Sequence, residues 1–238
     1  DQFGIKPLYY SLKDKSIYFS SEMKTLENDK IKISSEAFGQ YFRYQFYLSD
    51  KTISDDINLL EPGHYLKIKN KTGQINKIKY FDIDFLSHSN STNDINDLEN
   101  KIIKSVEMQC FADVNIGSHL SGGIDSSLIT SLISKNSNDI KCFNIGFEFS
   151  SFDESKYAKK IAEHLGLKME NLVCSKELAL NEIQKIHMAY DEPFADSSQI
   201  PTMLISSLAS EQVKVILTGD CGDELFGGYN RYLLGKKY

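Results

Sequence analysis

The chain has 238 residues, 41% of them apolar and 25% charged, with a net charge of −6. This is an ordinary globular composition, long enough for one large domain or two small ones and for a sizeable core. The acidic balance and the lack of a basic block exclude general affinity for nucleic acid or an anionic membrane. Any phosphate site must therefore be local, built from backbone N–H groups, a metal and a few cations. Cys110, Cys142, Cys174 and Cys221 form no Cys-x-x-Cys pair, and no His pair completes a zinc pattern. Reduced thiols in a cytoplasmic protein are the expectation. No apolar run approaches the ~20 residues of a bilayer span, and no signal peptide opens the sequence. The start at Asp1, with strand-like sequence close behind, reads as a piece of a longer protein.

In chain order, strand-like runs at Ile5–Leu12 and Ser16–Ser20 flank Asp14-Lys15, which predicts a hairpin. Ser21-Glu22 caps a short helix through Leu26. A second helix is expected at Ser35–Tyr44, with Phe38, Tyr41 and Phe42 on one side. Leu60–His64 is a turn, and Tyr65, Ile68, Ile75 and Ile78 suggest a hairpin turning at Lys71-Thr72-Gly73. Tyr9, Tyr10, Tyr41, Tyr44 and Tyr47 are most simply core aromatics. Residues 1–86 thus read as an α+β domain. The polar stretch at 87–94 reads as a linker.

From 95 to 238 the pattern alternates helix and strand. Ile95, Leu98, Ile102 and Val106 share a helical face. A strand at Val114–Leu120 precedes a helix carrying Leu128, Ile129, Leu132 and Ile133. A strand at Cys142–Phe147 precedes a helix striped by Tyr157, Ala158, Ile161, Ala162 and Leu165, which Gly166 ends. Leu172 and Val173 suggest a third strand. Ile200–Leu208 is helical with Pro201 in its first turn, and Val213–Thr218 is a fourth strand. This order predicts an α/β domain with a doubly wound parallel sheet and ligands at the carboxyl ends of its strands.

Two segments carry chemistry. In Leu120-Ser121-Gly122-Gly123-Ile124-Asp125-Ser126-Ser127 the glycines let the backbone turn and approach phosphate oxygens, and the following helix start favours an anion. Ser121, Ser126 and Ser127 add hydroxyl donors. No Lys follows the glycines, so this is not the GxxxxGK[ST] loop. Asp125 would repel phosphate unless a cation such as Mg²⁺ lies between them. For Ser-Gly-Gly alone, a tight turn capped by Asp125 or Ser126 is the plainer explanation; strand before and helix after favour phosphate. The second segment runs from Thr218 to Tyr229. It sets Asp220, Asp223 and Glu224 among four glycines after an apolar strand. An acidic surface turn at a helix start explains it equally well alone. Parallel topology, however, puts it at the same sheet edge as Asp125, where Asp125 and Asp223 share one or two Mg²⁺ ions. Asp191–Ser198 is weaker and reads as a loop ending in a helix cap, although Asp196 equally suits a substrate. His119 and His187 belong to no constellation.

Residues 113–128, 142–155, 191–202 and 215–232 together resemble the synthetase domain of the glutamine-hydrolysing asparagine synthetase family. Asp1–Tyr10, Phe19–Lys24 and Leu60–His64 resemble the last part of its glutaminase domain. The resemblance implies a partial N-terminal nucleophile hydrolase domain followed by part of an ATP pyrophosphatase domain. In that family glutamine supplies ammonia, and aspartate is activated as β-aspartyl-AMP with release of pyrophosphate. It further implies that Ser121–Ser127 cradle pyrophosphate, that Leu120, Ile145, Thr218 and Gly219 form the nucleotide site, and that Asp125 and Asp223 hold Mg²⁺. Asp220 falls at an acidic catalytic position and Asp1 at a residue that binds the amino group of glutamine. The implied partners are the small molecules aspartate, glutamine and ATP, and a second copy in a homodimer.

Two departures matter. Cys221 stands where the family commonly has Gly. The family's catalytic N-terminal cysteine and its C-terminal helical region, with a catalytic lysine, have no counterpart here, so glutamine hydrolysis by this stretch alone is not expected. Three other readings remain at this stage. They are a relative acting on another carboxylate or a sugar, a non-catalytic nucleotide-binding module, and a thiolase-type tRNA modifier. The glutaminase-like first half and the acidic charge speak against the last.

Overall fold

The computed structural model describes residues 1–26, 31–48, 50–69, 72–83, 94–136 and 139–235. They form two compact units, one of residues up to 83 together with 185–197, the other of 94–184 and 198–235. No described helix is long and apolar enough to cross a membrane.

In the first unit, β1 (Tyr9–Lys13) pairs antiparallel with β2 (Ser16–Ser20). Asp14 and Lys15 turn the hairpin at φ 50° and 64°, the left-handed pair that matches strand twist. Residues 5–8 are not strand, contrary to expectation. The Asp1 carboxylate accepts the N–H groups of Phe3, Ile5 and Lys6 at 2.9, 3.3 and 2.9 Å, and Pro7 has none to offer a ladder. The helix expected after Ser21-Glu22 is a single 3₁₀ turn, Met23–Thr25. Ser34 caps α1 (Ser35–Tyr44) by accepting the Ala37 N–H. β3 (Asn58–Leu59) adds to β1, and β4 (His64–Lys69) pairs with β5 (Gln74–Lys79) through a turn containing Gly73 at φ 66°. Lys71 lies outside the described residues. Of the five tyrosines, Tyr10 is buried, whereas Tyr44 is 41% exposed beside Arg43 and is not core.

Residues 185–197, which the expected boundary gives to the second domain, pack within this first unit. The Asp191 carboxylate accepts the Met23 N–H at 2.5 Å and Glu192 accepts the Ile53 N–H at 2.5 Å. Ala195 N–H donates to the Gln45 carbonyl at 3.2 Å. Carboxylate-to-backbone bonds of this kind leave no periodic trace in a sequence.

The second unit begins at α2 (Ile95–Gln109), capped by Asp94. The rest of the expected linker, residues 87–93, lies outside the described residues. The sheet order is β8 (Lys168–Cys174), β7 (Lys141–Phe147), β6 (Ile116–His119), β9 (Val215–Leu217), all parallel. α3 (Ile124–Asn136) follows β6, and α4 (Ser155–Leu165) joins β7 to β8. α5 (Lys176–Ile183) leads to the short α6 (Ile186–Ala189) of the first unit, and α7 (Gln199–Ser210) returns to β9. α8 (Gly222–Phe226) and α9 (Asn230–Gly235) close the described chain.

Alternate residues of β7 face opposite layers. Cys142 packs with Ala158 and Ala162 of α4, while its neighbour Phe143 packs with Ile205 and Ala209 of α7. Phe143 is fully buried, and such burial contributes roughly 2–3 kcal/mol. Val106 of α2 joins Leu132 and Ile133 of α3 in a third cluster. Helices on both faces of a parallel sheet give the doubly wound α/β architecture, with a crevice at the carboxyl ends of the strands. β6 and β9 are shorter than expected because their flanking residues are already bending into loops and turns.

Candidate functional site

β6 and β9 are parallel neighbours, with Ser118 opposite Leu217. The loops that leave them therefore emerge at one edge of the sheet. Leu120 continues β6, donating its N–H to the Phe143 carbonyl at 2.9 Å. Its side chain is 1% exposed among Cys142, Ala158 and Ala162, so Leu120 anchors the loop instead of lining it. Gly122 then turns at φ 89°, and a Cβ there would stand 2.6 Å from the Ala158 nitrogen. Only glycine suits both that conformation and that approach to α4. Ser121 Oγ lies 2.9 Å from Ser126 Oγ and accepts the Gly123 N–H at 3.3 Å. Ser127 N–H bonds back to the Gly123 carbonyl at 3.1 Å, while its Oγ is buried with no hydrogen-bond partner. A buried orphan hydroxyl costs about 1–3 kcal/mol.

The loop after β9 meets the first loop directly. A Cβ at Gly219 would lie 2.6 Å from the Ser126 nitrogen, and one at Gly222 2.5 Å from Asp125 Cγ. Gly222 thus touches the Asp125 side chain and immediately precedes Asp223, so both expected metal ligands flank one residue. Asp223 sits in the first turn of α8 and packs against Gly228. Thr218 donates its hydroxyl to Asp220 Oδ2 at 2.8 Å and accepts the Asp220 N–H at 3.3 Å. Cys221 adopts φ 71° and is exposed. A left-handed backbone costs a non-glycine residue roughly 1 kcal/mol. Among the described residues no three His, Cys, Asp or Glu side chains converge as a protein-only metal cage would.

The structure therefore gathers Ser121, Gly122, Gly123, Asp125, Ser126, Ser127, Thr218, Gly219, Asp220 and Asp223 at one rim. Ile145 packs into the Phe143 cluster on the α7 side. Asp1 belongs to the first unit and is not part of this rim. A residue that sequence reasoning passed over is Asn144, 2% exposed inside β7, whose Nδ2 donates to the Leu120 carbonyl at 2.6 Å. A lone amide in an apolar strand was its only signal.

His119 is the last residue of β6, just ahead of the loop. Burial holds its imidazole below the ordinary value, the Asp220 carboxylate opposing, and Nε2 is buried without a hydrogen-bond partner. The unfolded chain therefore binds this proton more readily than the fold does. Stability from the neutral ring is intact above about pH 6.5 and is lost as pH falls through that value towards the lower folded pKa. Thermal unfolding between pH 7.5 and 5.5 is expected to show a smaller acid loss in His119→Leu than in wild type; equal slopes would contradict this role.

Residues 97–237 match the asparagine synthase family and residues 1–81 a glutamine amidotransferase domain. Over 98% of its length the chain is 39% identical to the glutamine-hydrolyzing asparagine synthetase 1 of Bacillus subtilis. Over the same share it is 26% identical to amidase chry2 of Gibberella zeae and 25% identical to amidase chyE of Penicillium rubens. It spans 37% of the length of each of these relatives. With more than half of its residues matched to one family over the sheet and both acidic loops, the chain belongs to the asparagine synthase family.

Proposed function

We propose that this chain carries the nucleotide-activating site of a cytoplasmic, glutamine-dependent asparagine synthetase. The observation that carries the reading is the contact of the Gly219–Asp223 loop with Asp125 in the first turn of α3. In the reaction, a carboxylate oxygen of the aspartate side chain bonds to the α-phosphorus of ATP and pyrophosphate leaves. Ammonia then bonds to the activated acyl carbon and AMP leaves. The N–H groups and hydroxyls of Ser121–Ser127 bind the departing pyrophosphate. Thr218 and Gly219 border the nucleotide, and Thr218 fixes the Asp220 carboxylate beside the reacting centre.

The donor set suits Mg²⁺, which takes one or two carboxylates and completes its shell with water and substrate phosphates. Asp125 and Asp223 are the residues that would hold it, and the ion would supply charge neutralisation for the phosphates. In the first unit, Asp1, held by three main-chain N–H groups, is assigned to the amino group of glutamine.

The likeness to amidases favours one second reading, in which the same activation serves another carboxylate. Pyrophosphate release by the full-length gene product separates the two. Release from ATP that depends on Mg²⁺ and on aspartate supports the synthetase. Release that other carboxylates stimulate and aspartate does not supports the second reading. Nucleotide binding without any release removes both.

A further inference from the structure

We infer that Asn144 is a positioning residue for the pyrophosphate loop. The inference rests on the proposed function, because it assigns Asn144 a task only if that loop binds phosphate. The β6–β7 ladder ends at His119 opposite Phe143. Past that rung the chain must leave the sheet to make the Gly122 turn, yet Leu120 remains 1% exposed. Its carbonyl cannot reach water and needs a donor inside the protein. Asn144 provides it at 2.6 Å. The orientation of the amide follows, since a carbonyl only accepts and Nδ2 must face it.

The other end of the amide is also held. Ser155 Oγ, in the first turn of α4, lies 2.9 Å from Asn144 Oδ1 and 2.6 Å from Asp153 Oδ1. Its single proton is shared among these two acceptors and Asn171 Oδ1 at 3.1 Å. Asp153 is in turn fixed by the N–H groups of Ser155 and Phe147, and the Ser155 contacts are the main cause holding its carboxyl below the usual range. A hydrogen-bonded chain thus runs from the partly exposed Asp153 and Ser155 through the buried Asn144 to Leu120. It fixes the start of the loop against α4, the helix that Gly122 also touches. An apolar residue at 144 would fill the space and leave the Leu120 carbonyl unsatisfied, allowing the loop to drift from the position its N–H groups need.

The test titrates Mg²⁺ with ATP, inorganic pyrophosphate or AMP into the full-length gene product. Asn144→Ala, the isosteric Asn144→Asp, which cannot donate, and Ser155→Ala are compared with wild type. Loss of the Asn144 bond is expected to weaken ATP and pyrophosphate by about tenfold, while AMP, which lacks the β- and γ-phosphates, changes less than about twofold. Ser155→Ala should move affinity the same way by a smaller factor. Ile133→Val, in the α2–α3 cluster, lowers thermal stability without changing the ATP-to-AMP preference. Equal weakening of ATP and AMP, or unchanged pyrophosphate affinity in the folded Asp or Ser155 variant, would overturn the assignment. If wild type itself binds no pyrophosphate, the phosphate reading of the loop fails first and this inference with it.

Discussion

Replacing Asp125 by Asn is expected to reduce ATP-dependent pyrophosphate release by the full-length protein by more than roughly a hundredfold. Even the hydrogen-bond partners of metal ligands cost about 10–100-fold when removed, and Asp125 is assigned to the ligand shell itself. The substitution keeps the side chain's shape, so the contact with Gly222 survives. Asp125 lies in the first turn of α3, where a negative charge stabilises a helix by only about 0.3–1 kcal/mol, so thermal unfolding should move little. Glutamine hydrolysis should be spared, because the first unit keeps its own core and its own residues. Pyrophosphate release measured beside glutaminase activity checks the split. Full release in the variant would remove Asp125 from the metal site.

A larger structural effect is expected from Gly219→Ala than from Gly222→Ala, although each adds one methyl group. The methyl at 219 would stand 2.6 Å from the Ser126 nitrogen and 2.9 Å from the Asp125 carbonyl carbon, both main-chain atoms that cannot swing aside. The methyl at 222 would meet the Asp125 side chain, which can rotate away. Overpacking of the first kind costs about 1–3 kcal/mol, or roughly 2–12 °C in a chain of this size. Gly222→Ala should leave unfolding nearly unchanged but displace the carboxylate, so its pyrophosphate release falls as in Asp125→Asn. Calorimetry and nucleotide titration distinguish the two. Gly219→Ala with wild-type nucleotide affinity would mean that the loops need not touch for function.

The parallel domain was legible because each part of it left a local signature. Helical stripes such as Ala158, Ile161, Ala162 and Leu165, the Gly166 stop, and apolar runs at 142–147 and 215–217 fix element type and order. Order in turn, with parallel strands, places the two acidic loops at one rim. What escaped the sequence depends on single long-range hydrogen bonds. Asp191 and Glu192 hold residues 185–197 to the first unit through the Met23 and Ile53 amides, and neither bond imposes spacing or composition. Asn144 escaped for the same reason. Its partner, the Leu120 carbonyl, is a backbone atom carried by every residue. Residues 5–8 were read as strand from their apolar character, but Asp1 takes their amides first. Thr218, named with the nucleotide residues, orients Asp220 through a contact between residues two apart, which sequence proximity allows but does not reveal.

The proposed reaction depends on one metal–nucleotide site enclosed by the loops after β6 and β9. Titration of Mn²⁺ with ATP into the isotopically labelled full-length protein addresses it most directly, because the paramagnetic ion broadens nearby amide signals. Together, the amides of Ser121–Ser127 and Gly219–Asp223 should fade at one ion per chain, with Asp125→Asn abolishing the effect at both loops. Broadening confined to one loop, or persisting at both in that variant, would contradict a shared site.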